Sequence, residues 1–172
     1  MMKLISVICF LFLTGWIIPG CCSKIDVETH RQELLSLNQE MRTAHIEGNA
    51  GIIISGQGYP YTQVNSGQVT HPTHEDDSER FQNYIGSMNI TAWDDLIDPI
   101  VTISDDASLA TVIYKKHLVM TRIAQPEAEP YEGIYAWQST YRRTKEGWKQ
   151  ISDIVTTLPE EAMAEELKSL KN

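Results

Sequence analysis

Cysteine is absent after position 22, so the body of this 172-residue chain holds neither a disulfide nor a thiol nucleophile. Its stability must come from packing. Positive charge is also scarce: 14 Lys and Arg stand against 23 Asp and Glu, for a net charge of −9. No basic stripe interrupts this acidic background, which repels phosphate backbones, so nucleic acid is not an expected partner. There is no Gly-x-Ser-x-Gly elbow and no glycine-rich strand-to-helix turn, so hydrolases of the elbow type and nucleotide enzymes are disfavoured. No internal repeat or low-complexity stretch occurs, and no cofactor signature is found.

One uninterrupted apolar run is present. Leu4 to Ile18 carries no charge, follows Lys3 and leads into Pro19-Gly20-Cys21. Its 15 residues fall short of the roughly 20 that cross a bilayer core. A positive start, an apolar stretch and a small residue before the cut are the parts of a secretory signal peptide. Cys21 behind that cut resembles the lipobox of bacterial lipoproteins, whose cysteine thiol receives a diacylglyceryl group and becomes the first residue of the mature chain. The resemblance implies a signal peptide over residues 1–20 and a lipidated linker over 21–26. It also implies an extracytoplasmic place in the bacterial cell envelope, with the membrane as partner through the lipid. Removing residues 1–20 takes away Lys3 and no acid, so the net charge moves from −9 to −10.

Downstream, Leu34, Leu37, Met41 and Ala44 recur at three- and four-residue spacing and predict an amphipathic helix that stops at Gly48-Asn49. Residues 50–58 are apolar but glycine-rich, either a short helix or an irregular turn. Residues 59–69 are extended around a turn at Asn65-Ser66-Gly67. Thr73 opens a second helix, with Asp76 placed to complete a capping box and Phe81, Tyr84 and Ile85 as its buried face. Strands follow over 88–96, 99–104, 109–123, 131–144 and 148–157, rich in β-branched and aromatic residues. Pro159 begins a terminal helix with a narrow apolar stripe of Met163, Leu167 and Leu170. Helices first and long antiparallel strands afterwards make an α+β order, one domain over 27–158 with a helical extension over 159–172.

Several local signatures occur in a fixed order: Met41-x-x-Ala44 before Gly48-Asn49, then Ser104-Asp105-Asp106-Ala107, then the strand Tyr135 to Arg143, then the hairpin Glu146-Gly147-Trp148. Together they resemble the nuclear-transport-factor-2-like superfamily in its SnoaL-like bacterial branch, over roughly Val27 to Leu158. The resemblance implies a cone-shaped α+β fold, a curved antiparallel sheet packed on N-terminal helices with a pocket between them. It implies no particular reaction, because this cone hosts isomerases, cyclases, hydrolases and plain binding domains.

Within such a cone a few residues can carry chemistry. Alternation along the last strand puts Asp153 on one face with Ile151 and Val155, where a carboxylate among apolar neighbours would be hard to ionise and could serve as acid or base. Its alternative is a solvated or hydrogen-bonded strand position. His117 shares a face with Ile113, Lys115 and Val119, either toward the pocket or toward a polar cross-strand partner. Tyr135, Trp137 and Tyr141 share another face, as core or as pocket wall, and Tyr59, Tyr61 and Trp93 are candidates for the mouth. An isomerase-like site would combine an Asp base with Tyr and protonated-acid donors, for which Asp153 or Asp94 and Tyr141 are available. His71 and His74 have a spacing that two metal ligands can use, but Pro72 and the helix start lie between them, and a solvated helix start is the expectation. Three functions fit: a lipid-anchored domain binding a small apolar ligand or a partner, a pocket enzyme of isomerase, cyclase or hydratase type, or a scaffold whose sheet face forms a homodimer.

Two acyl chains hold a protein stably on a bilayer where one does so only marginally. Cys21→Ser should therefore move the protein from the membrane fraction to soluble material or uncleaved precursor, as followed by fractionation and intact mass.

Overall fold

The computed structural model describes residues 26–171, so the expectations for the leader and for Cys21 fall outside the described residues. Helix α1 spans Val27–Glu47. Asp26 caps its start by accepting the Thr29 amide at 3.2 Å, and Gly48 ends it in the left-handed region at φ 74°, which costs glycine nothing. Leu34 and Ala44 of the expected stripe are buried, and Leu37 and Met41 are half-buried. Residues 50–58 resolve into the short helix α2, Ala50–Ser55, followed by strand β1, Gln57–Asn65. β2 covers Gln68–Thr70. In α3, His74–Ser87, Thr73 and Asp76 exchange both bonds of the capping box.

The remaining strands are β3 Met88–Asp95, β4 Ile100–Ile103, β5 Leu109–Arg122, β6 Tyr131–Thr144 and β7 Gly147–Thr157, and helix α4 is Glu160–Leu170. The seven-stranded sheet runs β2-β1-β7-β6-β5-β3, with β4 also on β5. One expectation is corrected: the sheet is mixed, because β1 and β7 pair parallel. Hairpins force antiparallel neighbours at β5–β6 and β6–β7, whereas β1 and β7 are joined only through the whole domain and can run either way.

Three register shifts shape the inner face, one of them in β3, where Ile90 pairs with Met120 and Ala92 with Val119, so that Thr91 is an extra residue. Thr140 pairs with Ser152 and Tyr141 with Gln150, so Ile151 is an extra residue bulged out of β7. The bulge turns Trp148 and Gln150 to the same side as Asp153 and Val155. The third shift lies in β1 between Gln57 and Thr62, a stretch that includes the cis Tyr59–Pro60 bond. Leu34 of α1 packs with Val112, Tyr114, Tyr141 and Trp148 into one core cluster, and Glu33 accepts the Trp148 indole N–H at 3.1 Å. A second cluster joins Ala44, Ile53, Ile85 and Ile90, where the three N-terminal helices meet β3.

Helix α4 lies on the other side of the sheet. Its Glu166 pairs with Lys115, and Lys171 just beyond its end reaches Glu132 at 2.7 Å. Ile134 sits between these anchors on the outward face, in register with His117, yet it is fully buried. Met163 and Leu167 are half-buried, while Leu170, the third residue of the stripe, is 45% exposed. An isolated helix of this length is marginal in water, so docking is what keeps α4 helical. Deleting residues 160–172 should uncover Ile134 and lower the melting temperature by about 4–8 °C, equivalent to about 2 kcal/mol for a domain of this size. Differential scanning fluorimetry of both full-length and shortened protein measures this.

Candidate functional site

A cavity of about 360 Å³ lies against the inner sheet face, lined from α1, α2, α3 and strands β1, β3, β5, β6 and β7. It shares Ile53 with one core cluster and Tyr114 and Tyr141 with the other. One wall is a ladder of four rings drawn from three elements. His45 of α1 stacks on Trp93 of β3 with centroids 3.8 Å apart. Trp93 lies 5.5 Å from Trp137 of β6, and Trp137 lies 5.6 Å from Tyr135 two residues earlier. Strand alternation explains the last pair, since residues i and i+2 share a face. Burial drives the His45 imidazole down to about 4, so the ring is neutral at physiological pH. Its Nδ1 lies 2.7 Å from the Met41 carbonyl, which fixes the ring plane against Trp93.

The floor is polar. Tyr114 and Tyr141 hydroxyls meet at 3.0 Å. Gln150 Nε2 donates to the Tyr61 hydroxyl at 2.9 Å and to Ser139 Oγ at 3.1 Å. Asp153 stands opposite Ser139 in register and is only 9% exposed. Its Oδ1 is buried without a hydrogen-bond partner among the described residues. Burial pushes the Asp153 carboxyl above the usual carboxylate range, although Gln63, Arg80 and Tyr61 pull the other way. Burial first, then the Asp153 charge, pushes the Tyr61 phenol up, and burial does the same to Tyr114 and Tyr141. These phenols are therefore neutral and can donate hydrogen bonds, and Asp153 can exchange a proton in a range where ordinary carboxylates do not.

Around this floor the other charges are paired. Lys116 Nζ, on the cavity wall and 4% exposed as a residue, contacts Asp95 Oδ1 at 2.6 Å, and Asn38 Nδ2 donates to the other oxygen at 2.8 Å. Burial lowers the Lys116 amine despite that partner. Arg42 grips Asp94 through two nitrogens at 3.1 and 2.6 Å. Arg80 holds Asp77, which is fully buried, at 2.6 Å, and the Tyr59 hydroxyl approaches the same carboxylate at 3.1 Å.

Of the residues expected from sequence, Asp153, Tyr141 and Trp137 come together on this cavity, with Tyr61, Trp93 and Tyr135. His117 does not, which corrects its expected pocket role. It shares a face with Lys115 as alternation requires, but that face is the outer one, and its Nε2 lies 2.9 Å from Glu132 Oε1. Asp94 is likewise engaged by Arg42 and does not line the cavity. His71 and His74 diverge, one beside Thr62 at 3.2 Å and the other edge-on to Tyr59. Sequence reasoning missed His45 and Lys116. Lys116 was accessible in principle, because it alternates with His117 and shares its face with Tyr114 and Leu118. His45 follows the helix stripe by one position and gave no such signal.

No protein-family model and no curated protein matches the chain. Solved structures match it in fold. A nuclear transport factor 2-like superfamily protein from Salmonella enterica superposes with a TM-score of 0.63 at 8% identity, covering 78% of this chain and 94% of that one. A protein of the same type from Cytophaga hutchinsonii gives a TM-score of 0.60 at 14% identity, over 74% of this chain and 98% of that one. Another from Pseudomonas putida, of unknown function, gives 0.59 at 12% identity over 79% and 92%. The chain thus has the cone-shaped nuclear-transport-factor-2-like fold.

A carboxyl with a raised folded value stabilises the fold fully only below its unfolded value of about 3.8, and that contribution is lost as pH rises through the folded value. Asp153→Asn removes the buried charge. It should raise the melting temperature at neutral pH by about 2–4 °C, the shift of about 1 kcal/mol in a chain of this size. The gain should vanish as pH falls toward 3.8, which parallel melting curves across pH will reveal.

Proposed function

We propose that this chain binds a small, largely apolar molecule in the cone cavity while a diacylglyceryl group on Cys21 holds it on a membrane of the bacterial envelope, outside the cytoplasm. The observation that carries the binding reading is the ladder of His45, Trp93, Trp137 and Tyr135 on one cavity wall. Aromatic rings that line a cavity offer a large contact area at low cost in side-chain entropy, which suits a largely apolar ligand. At about 360 Å³ the cavity lies at the small end of the range for ligand sites. The tyrosine hydroxyls and Asp153 on the floor would orient the polar end of such a molecule. The anchor rests on the run before Cys21, and the acidic body suits attachment through lipid rather than through charge.

A second reading is favoured by one observation. Asp153, with its carboxyl pushed up by burial, stands among neutral phenols, an arrangement that suits proton abstraction with the developing charge held by hydroxyl donors. A pocket enzyme of isomerase, cyclase or hydratase type would use Asp153 as base and Tyr61 or Tyr141 as donor, without His117.

Native mass spectrometry of protein extracted from its own cells tests the binding reading, which expects a non-covalent small-molecule adduct on the lipidated chain. Trp137→Ala should remove a stacking surface and weaken that adduct about tenfold, the effect of about 1.4 kcal/mol. A wild-type chain that emerges without adduct, and binds no aromatic probe in fluorescence titration, would defeat it.

A further inference from the structure

Among the described residues, the acidic groups around the cavity are matched one to one with cations, save one. Asp95 has Lys116, Asp94 has Arg42 and Asp77 has Arg80. Arg80 is the cation that also acts on Asp153 through space, but its guanidinium is already spent on Asp77 Oδ1 through two nitrogens. Asp153 therefore leaves one negative charge over on a cavity wall, with Oδ1 buried and unpartnered among the described residues. A buried acceptor left without a donor is costly, and a carboxylate more so than a neutral group.

The neighbouring wall supplies the second half of a recognition site. Val155, two residues along β7 from Asp153, is the register partner of Trp137. Asp153 and Trp137 are thus diagonal neighbours on one sheet face, roughly 7–8 Å apart and within reach of a common small group. Trp137 continues into Trp93 and Tyr135, and the electron-rich faces of such rings attract a positive charge. The neutral state of His45 keeps that end of the ladder from repelling a cation. Two positive side chains line the cavity, and each is held by an acid of its own: Lys116 by Asp95 on β3, at the other side of β5 and β6 from Asp153, and Arg80 by Asp77 within α3.

We propose that the ligand of this cavity is an organic cation, a primary or substituted amine carried on a flat apolar body, with the ammonium at Asp153 beside Trp137 and the body along the aromatic wall. This rests on the reading of the cavity as a small-molecule site and adds the charge of the ligand to it. An ammonium satisfies Asp153 with charge-assisted hydrogen bonds, and it places a cation beside aromatic rings, which a neutral or anionic group would use less well. Bound cation also favours the ionised form of Asp153, so affinity should rise with pH through the titration of that carboxyl and then level off while the amine stays protonated.

Three probes of one shape separate the contributions: tryptamine, its alcohol analogue tryptophol, and indole-propionate, each titrated by calorimetry into the full-length protein. Tryptamine should bind at least about tenfold more tightly than tryptophol, the equivalent of one charge-assisted contact at about 1.4 kcal/mol, and indole-propionate should bind most weakly. Asp153→Asn should bring tryptamine and tryptophol to within about twofold of each other, through loss of tryptamine affinity. Equal binding of the three probes by the wild type would overturn the charge assignment and leave the cavity reading standing. Preference for tryptamine that survives Asp153→Asn would overturn it as well. Binding of none of the three would remove the cavity reading and this inference with it. The wild-type series decides the question even if the variant fails to fold.

Discussion

The bulge at Ile151 is the constraint on which the rest of the inner face depends. In an unbroken strand, Trp148 and Asp153 would point to opposite sides of the sheet, because side chains alternate with a period of two. The extra residue between Gln150 and Ser152 brings both to the inside. Trp148 then closes the core beneath the first helix, with its indole held by Glu33, and Gln150 and Asp153 become the floor of the cavity. Without that residue either the core would lose its tryptophan or the cavity its carboxylate. Bulges of this kind re-aim side chains next to functional sites, and here one does so for a core and a site at once.

Packing and polarity divide the interior in a consistent way. Aliphatic residues, joined by Tyr114, Tyr141 and Trp148, fill the two clusters, while the space between the helices and the sheet is walled by rings whose shapes leave room. Ion pairs surround that space: Lys116 with Asp95, Arg42 with Asp94, Arg80 with Asp77. Each is tied to a neighbouring element, so the pairs help to hold the first helix on β3 and to fix the start of α3. A buried pair is weak evidence of net stability, because desolvation offsets its attraction, but breaking one leaves an uncompensated charge. Their role is best seen as fixing geometry around Asp153, the carboxylate left without a cation of its own among the described residues.

The outer face is organised separately. Glu132 accepts from both His117 and Lys171, and this cluster, with the Lys115–Glu166 pair, fastens the terminal helix across Ile134. A histidine that reads as a pocket candidate in sequence thus belongs to the docking of the chain's last element. Nothing in the local pattern of Ile113, Lys115, His117 and Val119 separates the two possibilities. Both faces of β5 carry apolar and charged residues, and which face is covered by helices and which by α4 depends on elements far away in the chain.

Much of the architecture was legible from local signals, because those signals act over a few residues. The stripe of Leu34, Leu37, Met41 and Ala44, the stop at Gly48, the capping box at Thr73 and Asp76, and the hairpin at Gly147 all depend on neighbours in sequence, and each stands where it was expected. The shared face of Tyr135, Trp137 and Tyr141 follows from alternation alone, as does the separation of His117 from Lys116. Tertiary structure decided what alternation cannot: which face is inside, where β7 takes its extra residue, and that β1 runs parallel to it. It also decided that His45, Trp93 and Trp137, from three separate elements, form one ladder beside Asp153. These outcomes depend on contacts between residues tens of positions apart, whose energies are set by how the sheet curves under the helices and not by any stretch of sequence read by itself.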